Sequence, residues 1–359
     1  MKLDDLREQI DGIDERMVRL IAERIRVAGE IGKKKKEQGK QVGDVERERK
    51  VLENIRRIAH EEDINWKDVE GIYRKLITVS RGVQGMTVAF QGEIGAYSEE
   101  AAYQFFGASI HLKPCETLDD VFQSVAQDEA HFGVVPIENS LEGSISRTYD
   151  LLLDSELKVC GETELRVVHC LIGLPQSRLD LIKKVYSHPQ ALGQSRSFLK
   201  HLGCELISTY DTAGSVKMLR EQGVPEAGAV ASARAAEIYG MKILAREIED
   251  NPNNFTRFFV LSRHDSPRTG HDKTSLVFSV RHKPGALYES LKTLADCELN
   301  MTKIESRPTR QQAWEYHFYV DIEGHREDKN FRDAMKGLES TTLFIKTLGS
   351  YPRASEVKS

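Results

Sequence analysis

The sequence predicts a multidomain chain: an all-α segment, then an α/β domain, then an α+β unit of ferredoxin-like order. Three observations predict it. Apolar residues recur at helical spacing near the start, short apolar runs alternate with helical patterns from Met86, and the order strand, helix, strand, strand, helix, strand follows a polar stretch at 264–273. The length of 359 residues agrees, since it exceeds the roughly 250–300 at which one hydrophobic core stops growing. The domains are read as 1–85, 86–263 and 274–350.

The first helix is predicted from residue 1 to about 40, because Leu3, Leu6, Ile10, Ile13, Met17, Leu20, Ile21 and Ile25 keep helical spacing with no proline among them. Lys33 to Lys36 stand near its end, where cations complement the helix dipole, and Gln38-Gly39 breaks it. A second helix is expected at 44–60 and a third at 65–82, with Asn65 as N-cap. Three such helices make a unit too thin to bury its own seams, so this segment is expected to dimerise.

In the α/β region residues 86–91 read as a strand, a glycine turn follows, and a helix begins near Ser98; further strands are read at 133–137, 167–171, 228–231 and 258–261. Beyond the linker, strands are expected at 274–280, 300–307, 313–322 and 343–348, with helices at 285–295 and 328–338. The composition is 40% hydrophobic and 30% charged, without an apolar run approaching the roughly 20 residues of a membrane span or an N-terminal signal segment. The expectation is a cytoplasmic protein with no membrane partner. Five cysteines (Cys115, Cys160, Cys170, Cys204, Cys297) form no CxxC pair, so neither a disulfide nor a metal site is expected. A net charge of -5 offers nucleic acid no general attraction, so any small anion must be held by local basic groups.

Such groups occur in the helical segment. Arg24 and Lys35 are eleven positions apart, hence about 20° apart around a helix, whereas Arg7 points about 100° away. Asp44, Arg47 and Glu48 share a face of the second helix, and Ser80 and Gln84 share one of the third. Taken singly, each is an ordinary surface residue. Taken together, Leu6-Arg7-Glu8, Ala22-Glu23-Arg24, the run 30–35, the run 44–49 and Ser80-Arg81-Gly82-Val83-Gln84 resemble the all-helical chorismate mutase family. The resemblance implies a dimer in which Arg7 of one subunit joins Arg24, Lys35, Asp44, Arg47, Glu48, Ser80 and Gln84 of the other. It also implies rearrangement of chorismate to prephenate, a pericyclic reaction of a dianion that needs no cofactor. Arginines would hold the carboxylates, Lys35 and Gln84 would face the breaking ether oxygen, and Glu48 would hold the ring hydroxyl.

The segment Val88 to Ser98 reads as strand, glycine turn and helix start, where backbone N–H groups can hold an anion. Polar clusters Glu138-Asn139-Ser140, Ser187-His188-Pro189-Gln190 and Asp211-Thr212-Ala213 sit at predicted strand-to-helix junctions, which line ligand crevices in open α/β sheets. With Asn253-Asn254-Phe255-Thr256-Arg257-Phe258, these clusters resemble the prephenate dehydratase family over 86–263. The resemblance implies a two-lobed fold similar to periplasmic binding proteins, with Thr256 as the catalytic hydroxyl. It carries over Asn139, Ser187, Gln194, Thr212 and Arg257 as cleft residues, Arg257 holding a substrate carboxylate. Glu138 and His188 are alternative proton sources, and His188 also reads as a structural histidine.

The last unit matches the regulatory domain named ACT, with Gly285-Ala286-Leu287 and Glu305-Ser306-Arg307-Pro308 resembling its phenylalanine-binding motifs. The resemblance implies a homodimer or higher homo-oligomer with L-phenylalanine as feedback effector; a plain dimerisation domain is the alternative. Two other readings of the whole chain stay open: a dehydratase whose helical part only dimerises, and a non-catalytic amino-acid sensor.

Overall fold

The structure, a computed structural model, describes residues 3–38, 45–309 and 315–354, and among these no helix is long and apolar enough to cross a membrane. Two compact units divide the chain: residues 1–88 with 103–112, and residues 89–102 with 113–359. The first is built on α1 (Leu3–Glu37), α2 (Val45–Glu61) and α3 (Trp66–Val83), close to the bounds read from the apolar spacing. Asn65 caps α3 as expected, its side-chain oxygen accepting from Lys67 N at 3.2 Å. Glu70, buried on α3, is gripped by Arg56 at 2.8 Å and Arg74 at 2.6 Å, which ties α2 to α3. Leu3, Leu6, Ile10, Ile13, Met17 and Leu20 remain exposed along α1, an apolar seam that no described residue covers.

The α/β region, most of it in the second unit, begins with a lobe of β1 (Thr87–Gln91), α4 (Tyr97–Phe106), β2 (His111–Cys115), α5 (Leu118–Ala126), β3 (Phe132–Asn139), β4 (Gly143–Ser144), α6 (Ser146–Asp154) and β5 (Lys158–Arg166). The chain then crosses to another lobe: β6 (Cys170–Gly173), β7 (Lys184–Ser187), α7 (Pro189–Gln194), α8 (Arg196–Leu202), β8 (Glu205–Ser208), α9 (Thr212–Gln222), β9 (Ala227–Ala231), α10 (Ala233–Tyr239) and β10 (Lys242–Ala245). It returns through β11 (Phe255–Ser262), which inserts between β3 and β5, so the sheet orders are β2-β1-β3-β11-β5 and β10-β6-β9-β7-β8. Two lobes joined by two crossings give the fold of a periplasmic binding protein. The crossings, 167–169 and 246–254, lie side by side: Val167 N donates to Asn254 O at 2.8 Å and Ile248 N to His169 O at 3.0 Å. Residues 167–169, expected as the start of a strand, therefore form part of this crossing, and only 170–173 are strand.

The C-terminal module follows the expected order: β12 (Asp272–Val280), α11 (Ala286–Asp296), β13 (Met301–Pro308), β14 (Tyr316–Glu323), α12 (Lys329–Thr341) and β15 (Thr342–Pro352). Its antiparallel sheet, β13-β14-β12-β15, packs α11 and α12 on one face through Leu276, Phe278, Leu294, Val320 and Leu338. The other face is apolar as well. Alternation along the strands sends Val277, Tyr319, Leu348 and Tyr351 into the core that also holds Val159, Ile137 and Phe259 of the first lobe. Module and lobe thus share one core.

Candidate active sites

In the helical unit Arg24 and Ser80 come together as expected. Arg24 Nη1 donates to Ser80 Oγ at 2.5 Å and to Leu76 O at 3.2 Å, bringing α1 against α3. About two turns on, Gly32 lets α1 approach Gln84 so closely that a Cβ built there would stand 2.7 Å from Gln84 Cα. Gln84 follows α3, and its Oε1 is buried without a partner among the described residues. An amide left unspent in a folded core costs about 1–3 kcal/mol and points to a ligand or to the opposite amide orientation, which would present Nε2 there instead. Lys35 is half-buried near the end of α1, one turn after Gly32.

Arg47 is exposed on α2, while both oxygens of Glu48 are held by the fork of Arg81, at 2.7 Å to Nε. Arg81 was not among the residues singled out in the sequence, although it lies inside the Ser80-to-Gln84 run; its i, i+3 relation to Gln84 was the available signal. Asp44 lies outside the described residues. Arg7 pairs locally with Asp4 at 3.3 Å, seventeen residues from Arg24 and so about 25 Å along the same helix. A single chain cannot bring these two arginines to one ligand.

In the α/β unit the site forms around β11. Thr256 stands directly across from Asn139 on β3, and the two hydrogens of Asn139 Nδ2 are shared among Asn254 Oδ1 at 2.8 Å, Thr256 Oγ1 at 3.0 Å and Phe255 O at 3.2 Å. Asn139 cannot be turned over, because its Oδ1 accepts from Leu141 N and Glu142 N, each at 3.0 Å. Thr256 Oγ1 therefore accepts, and its own proton has no acceptor among the described residues. Asn254 Nδ2 donates in turn to Gln194 Oε1 at 2.9 Å, so one buried polar chain runs from the first lobe to α7 of the second. Gln194 Nε2 is buried with no partner among the described residues.

The remaining predicted residues take other places. Ser187 is fully buried and its hydroxyl donates to Val230 O at 2.6 Å, tying β7 to β9. Thr212 opens α9, with Oγ1 3.5 Å from Asp211 Oδ1. The N–H groups of the glycine turn are not left for an anion: Glu93 N donates to Asp211 Oδ2 at 3.0 Å and Gly95 N to the Glu99 carboxylate. His188 caps α7, its Nδ1 accepting from Gln190 N at 3.3 Å, which is the structural role.

Arg257 requires a correction. Successive strand residues point to opposite faces, so Arg257 faces away from Thr256 and its guanidinium is spent on Glu162 at 2.6 Å, Asp321 at 2.6 Å and Tyr351 Oη at 3.2 Å. Burial works against its charge, and Tyr351, Asp321 and Glu162 outweigh it, raising the pKa. It holds the C-terminal module, not a substrate carboxylate. His169 was missed by sequence reasoning: it lies 2% exposed in the first crossing, Nε2 2.9 Å from Gln194 Oε1 and Nδ1 2.9 Å from Tyr97 Oη.

In the C-terminal module Gly285 takes φ +82° at the start of α11, a conformation glycine adopts without strain. Ala286 and Leu287 line a concavity of about 390 Å³ with His282, Tyr316 and Phe318. In the β13–β14 register Pro308 lies opposite Tyr316 and Ser306 opposite Phe318, which sets one edge of the second predicted motif beside that concavity. Arg307 alternates to the other face and bonds Ser146 Oγ at 2.7 Å, with Asp150 at 3.4 Å, while Glu305 is half-buried on the same strand.

A helical unit in which Arg24 turns onto α3 beside an unspent amide, and a two-lobed unit with an unspent hydroxyl and amide where its lobes cross, are the two separate sites of an enzyme. Residues 6–85 match the family described as chorismate mutase type II, and residues 88–266 match prephenate dehydratase. Over 98% of each chain the sequence is 41% identical to the Aquifex aeolicus protein named bifunctional chorismate mutase/prephenate dehydratase. Among solved structures, a prephenate dehydratase from Arthrobacter aurescens in complex with L-Phe is 33% identical, with a TM-score of 0.69 over 75% of this chain and 90% of its own. A protein described as a novel type of quorum quenching acylase is 38% identical, with a TM-score of 0.69 over 75% and 98%. The chain belongs to the bifunctional chorismate mutase/prephenate dehydratase family, and both activities serve phenylalanine biosynthesis.

Proposed function

We propose that the two reactions run at the two sites described, and that Thr256 is the group that acts on prephenate. The observation that carries this reading is the Asn139–Thr256 pair, which engages the hydroxyl as an acceptor and leaves its proton to give. Dehydration expels the ring hydroxyl as water and the ring carboxylate as carbon dioxide, and the ring becomes aromatic with no oxidant and no cofactor. Thr256 donates a hydrogen bond that tightens into proton transfer as the C–O bond breaks, worth about 10²–10⁴-fold, and orientation by Asn139 and Gln194 supplies the rest. Thr212 borders the cleft, and Ser187 supports it from behind through its bond to Val230 O.

For the mutase, Arg24, Arg47 and the partner subunit's Arg7 hold the two carboxylates, with Lys35 and Gln84 at the ether oxygen and Asp44, Glu48 and Ser80 around the ring. The exposed apolar seam of α1 supports the dimer this requires. The functional domains are 1–85, 86–263 and an ACT module at 274–350, in which L-phenylalanine binds at 285–287 and 305–308 and inhibits the dehydratase. The bound L-Phe of the Arthrobacter dehydratase supports the effector. The five free cysteines support a cytoplasmic location.

Absorbance assays of chorismate loss and phenylpyruvate formation test the assignment. Thr256→Ala should lose at least 100-fold of dehydratase turnover and keep the mutase, and Arg24→Ala the reverse, by about 10²-fold or more. Both activities falling together in either folded variant would refute separate sites.

A further inference from the structure

We propose that His169 is a positioning residue for the dehydratase reaction: its Nε2–H, donated to Gln194 Oε1, holds the Gln194 amide so that Nε2 stays an unspent donor for a substrate oxygen. This rests on the site assignment above. The argument starts at two backbone N–H groups. Leu141 N and Glu142 N fix Asn139 Oδ1 as acceptor, so Asn139 Nδ2 is the donor to Asn254 Oδ1, so Asn254 Nδ2 is the donor to Gln194 Oε1. Every amide in the chain is thereby oriented.

His169 Nε2, 2.9 Å from that same Oε1, must carry the proton. In the neutral imidazole Nδ1 is then an acceptor, and the donor within reach is the Tyr97 hydroxyl at 2.9 Å, whose one proton lies between Nδ1 and Val168 O at 2.8 Å. The opposite tautomer would place a bare Nε2 against Oε1 and drive the amide over, spending Gln194 Nε2 on the imidazole and opposing Asn254. The ring is 2% exposed and sits in the crossing between the lobes, with Glu249 Oε2 accepting from its backbone N–H at 2.9 Å. Burial, the largest influence, lowers its pKa and favours the neutral ring. His169 and Tyr97 thus close the far end of a chain whose near end is Thr256.

The test compares His169→Phe, His169→Gln, Gln194→Leu and the double variant His169→Phe/Gln194→Leu in the full-length enzyme, measuring kcat and KM for prephenate. His169→Phe should lower kcat roughly 10- to 100-fold with the smaller change in KM, since a misplaced donor acts on the transition state. His169→Gln, which keeps an N–H within reach of Oε1, should stay within about 3-fold of wild type. In the Gln194→Leu background His169→Phe should cost nothing further. An equal loss in both backgrounds would overturn the inference, as would a His169→Gln variant as poor as His169→Phe. His169→Asn, too short to reach Gln194, repeats the comparison with a smaller packing change if the phenylalanine does not fold. Full activity in Gln194→Leu would instead sink the site assignment.

Discussion

Lys303 Nζ lies 2.6 Å from Glu138 Oε2, and Glu138 is the neighbour of Asn139 just as Arg257 is the neighbour of Thr256. The two neighbours stand across from one another in the β11–β3 register, and the residues that hold them, Lys303 and Asp321, stand across from one another in β13–β14. One registered pair of the C-terminal sheet therefore grips the registered pair flanking the Asn139–Thr256 bond. Two residues beyond Lys303 begins the motif Glu305-Ser306-Arg307-Pro308.

Lys303→Met is expected to weaken inhibition by L-phenylalanine roughly 5-fold or more, a coupling of about 1 kcal/mol or above, with the mutase unchanged. Phenylpyruvate formation titrated with L-phenylalanine measures this. An unaltered inhibition curve would remove Lys303 from the coupling. Truncation before β12 is a poorer probe, because Val277, Tyr319 and Tyr351 complete the core of the first lobe and their loss would expose it.

Replacing Arg257 by Met should act on stability and leave substrate affinity alone. Its side chain is 11% exposed and neutralises Asp321 and Glu162, the latter also held by Lys273 at 2.9 Å. Removing one partner of a buried pair costs about 3–5 kcal/mol, so a lowered unfolding midpoint is expected, with KM for prephenate within about 2-fold of wild type in the folded fraction. A large rise in KM with an unchanged melt would restore Arg257 to the substrate.

The sequence already held the evidence for that placement. Thr256 and Arg257 are adjacent on a strand, and a period of two cannot aim both into one cleft. What hid it was β5: Lys-Val-Cys-Gly-Glu-Thr-Glu-Leu-Arg has neither clean alternation nor an apolar run, and its Glu162 is buried against Arg257 and Lys273, charges supplied from 95 residues or more away. The helices and the ferredoxin-like order were legible because each depends on local periodicity and caps, as at Asn65. His169 escaped for a third reason, since inside Val-Val-His-Cys-Leu it looks like a strand residue and gains its role from a crossing that only the tertiary fold creates.

In the helical unit Gly32 is the position where a methyl group should discriminate most sharply. A Cβ there meets Gln84 Cα at 2.7 Å, whereas at Gly71 on α3 nothing lies within 4 Å. Gly71→Ala should stabilise by about 0.5–1 kcal/mol through helix propensity alone. Gly32→Ala should forfeit that gain, cost about 1–3 kcal/mol in overpacking, and displace Gln84 enough to lower mutase kcat at least 10-fold with the dehydratase untouched. Equal melts and equal mutase rates for the two variants would contradict the close approach of α1 to α3.

The buried imidazole also sets a pH dependence of stability. Desolvation holds the pKa of His169 below its ordinary 6.5, with the Gln194 bond and Glu249 opposing, and Tyr97 faces the ring from α4. Between the lowered folded-state value and 6.5 the unfolded chain binds more protons than the folded one, so stability rises with pH across that window. The contribution is complete above 6.5 and is lost as pH falls through the folded-state value. Glutamine does not titrate, so denaturant melts of His169→Gln should run flatter than wild type just below pH 6.5 and parallel to it above. His317, whose pKa burial also lowers, is present in both proteins and cancels in the difference. Parallel curves throughout would mean that His169 takes up its proton as readily in the folded chain as in the unfolded one, and the tautomer that orients Gln194 would lose its support.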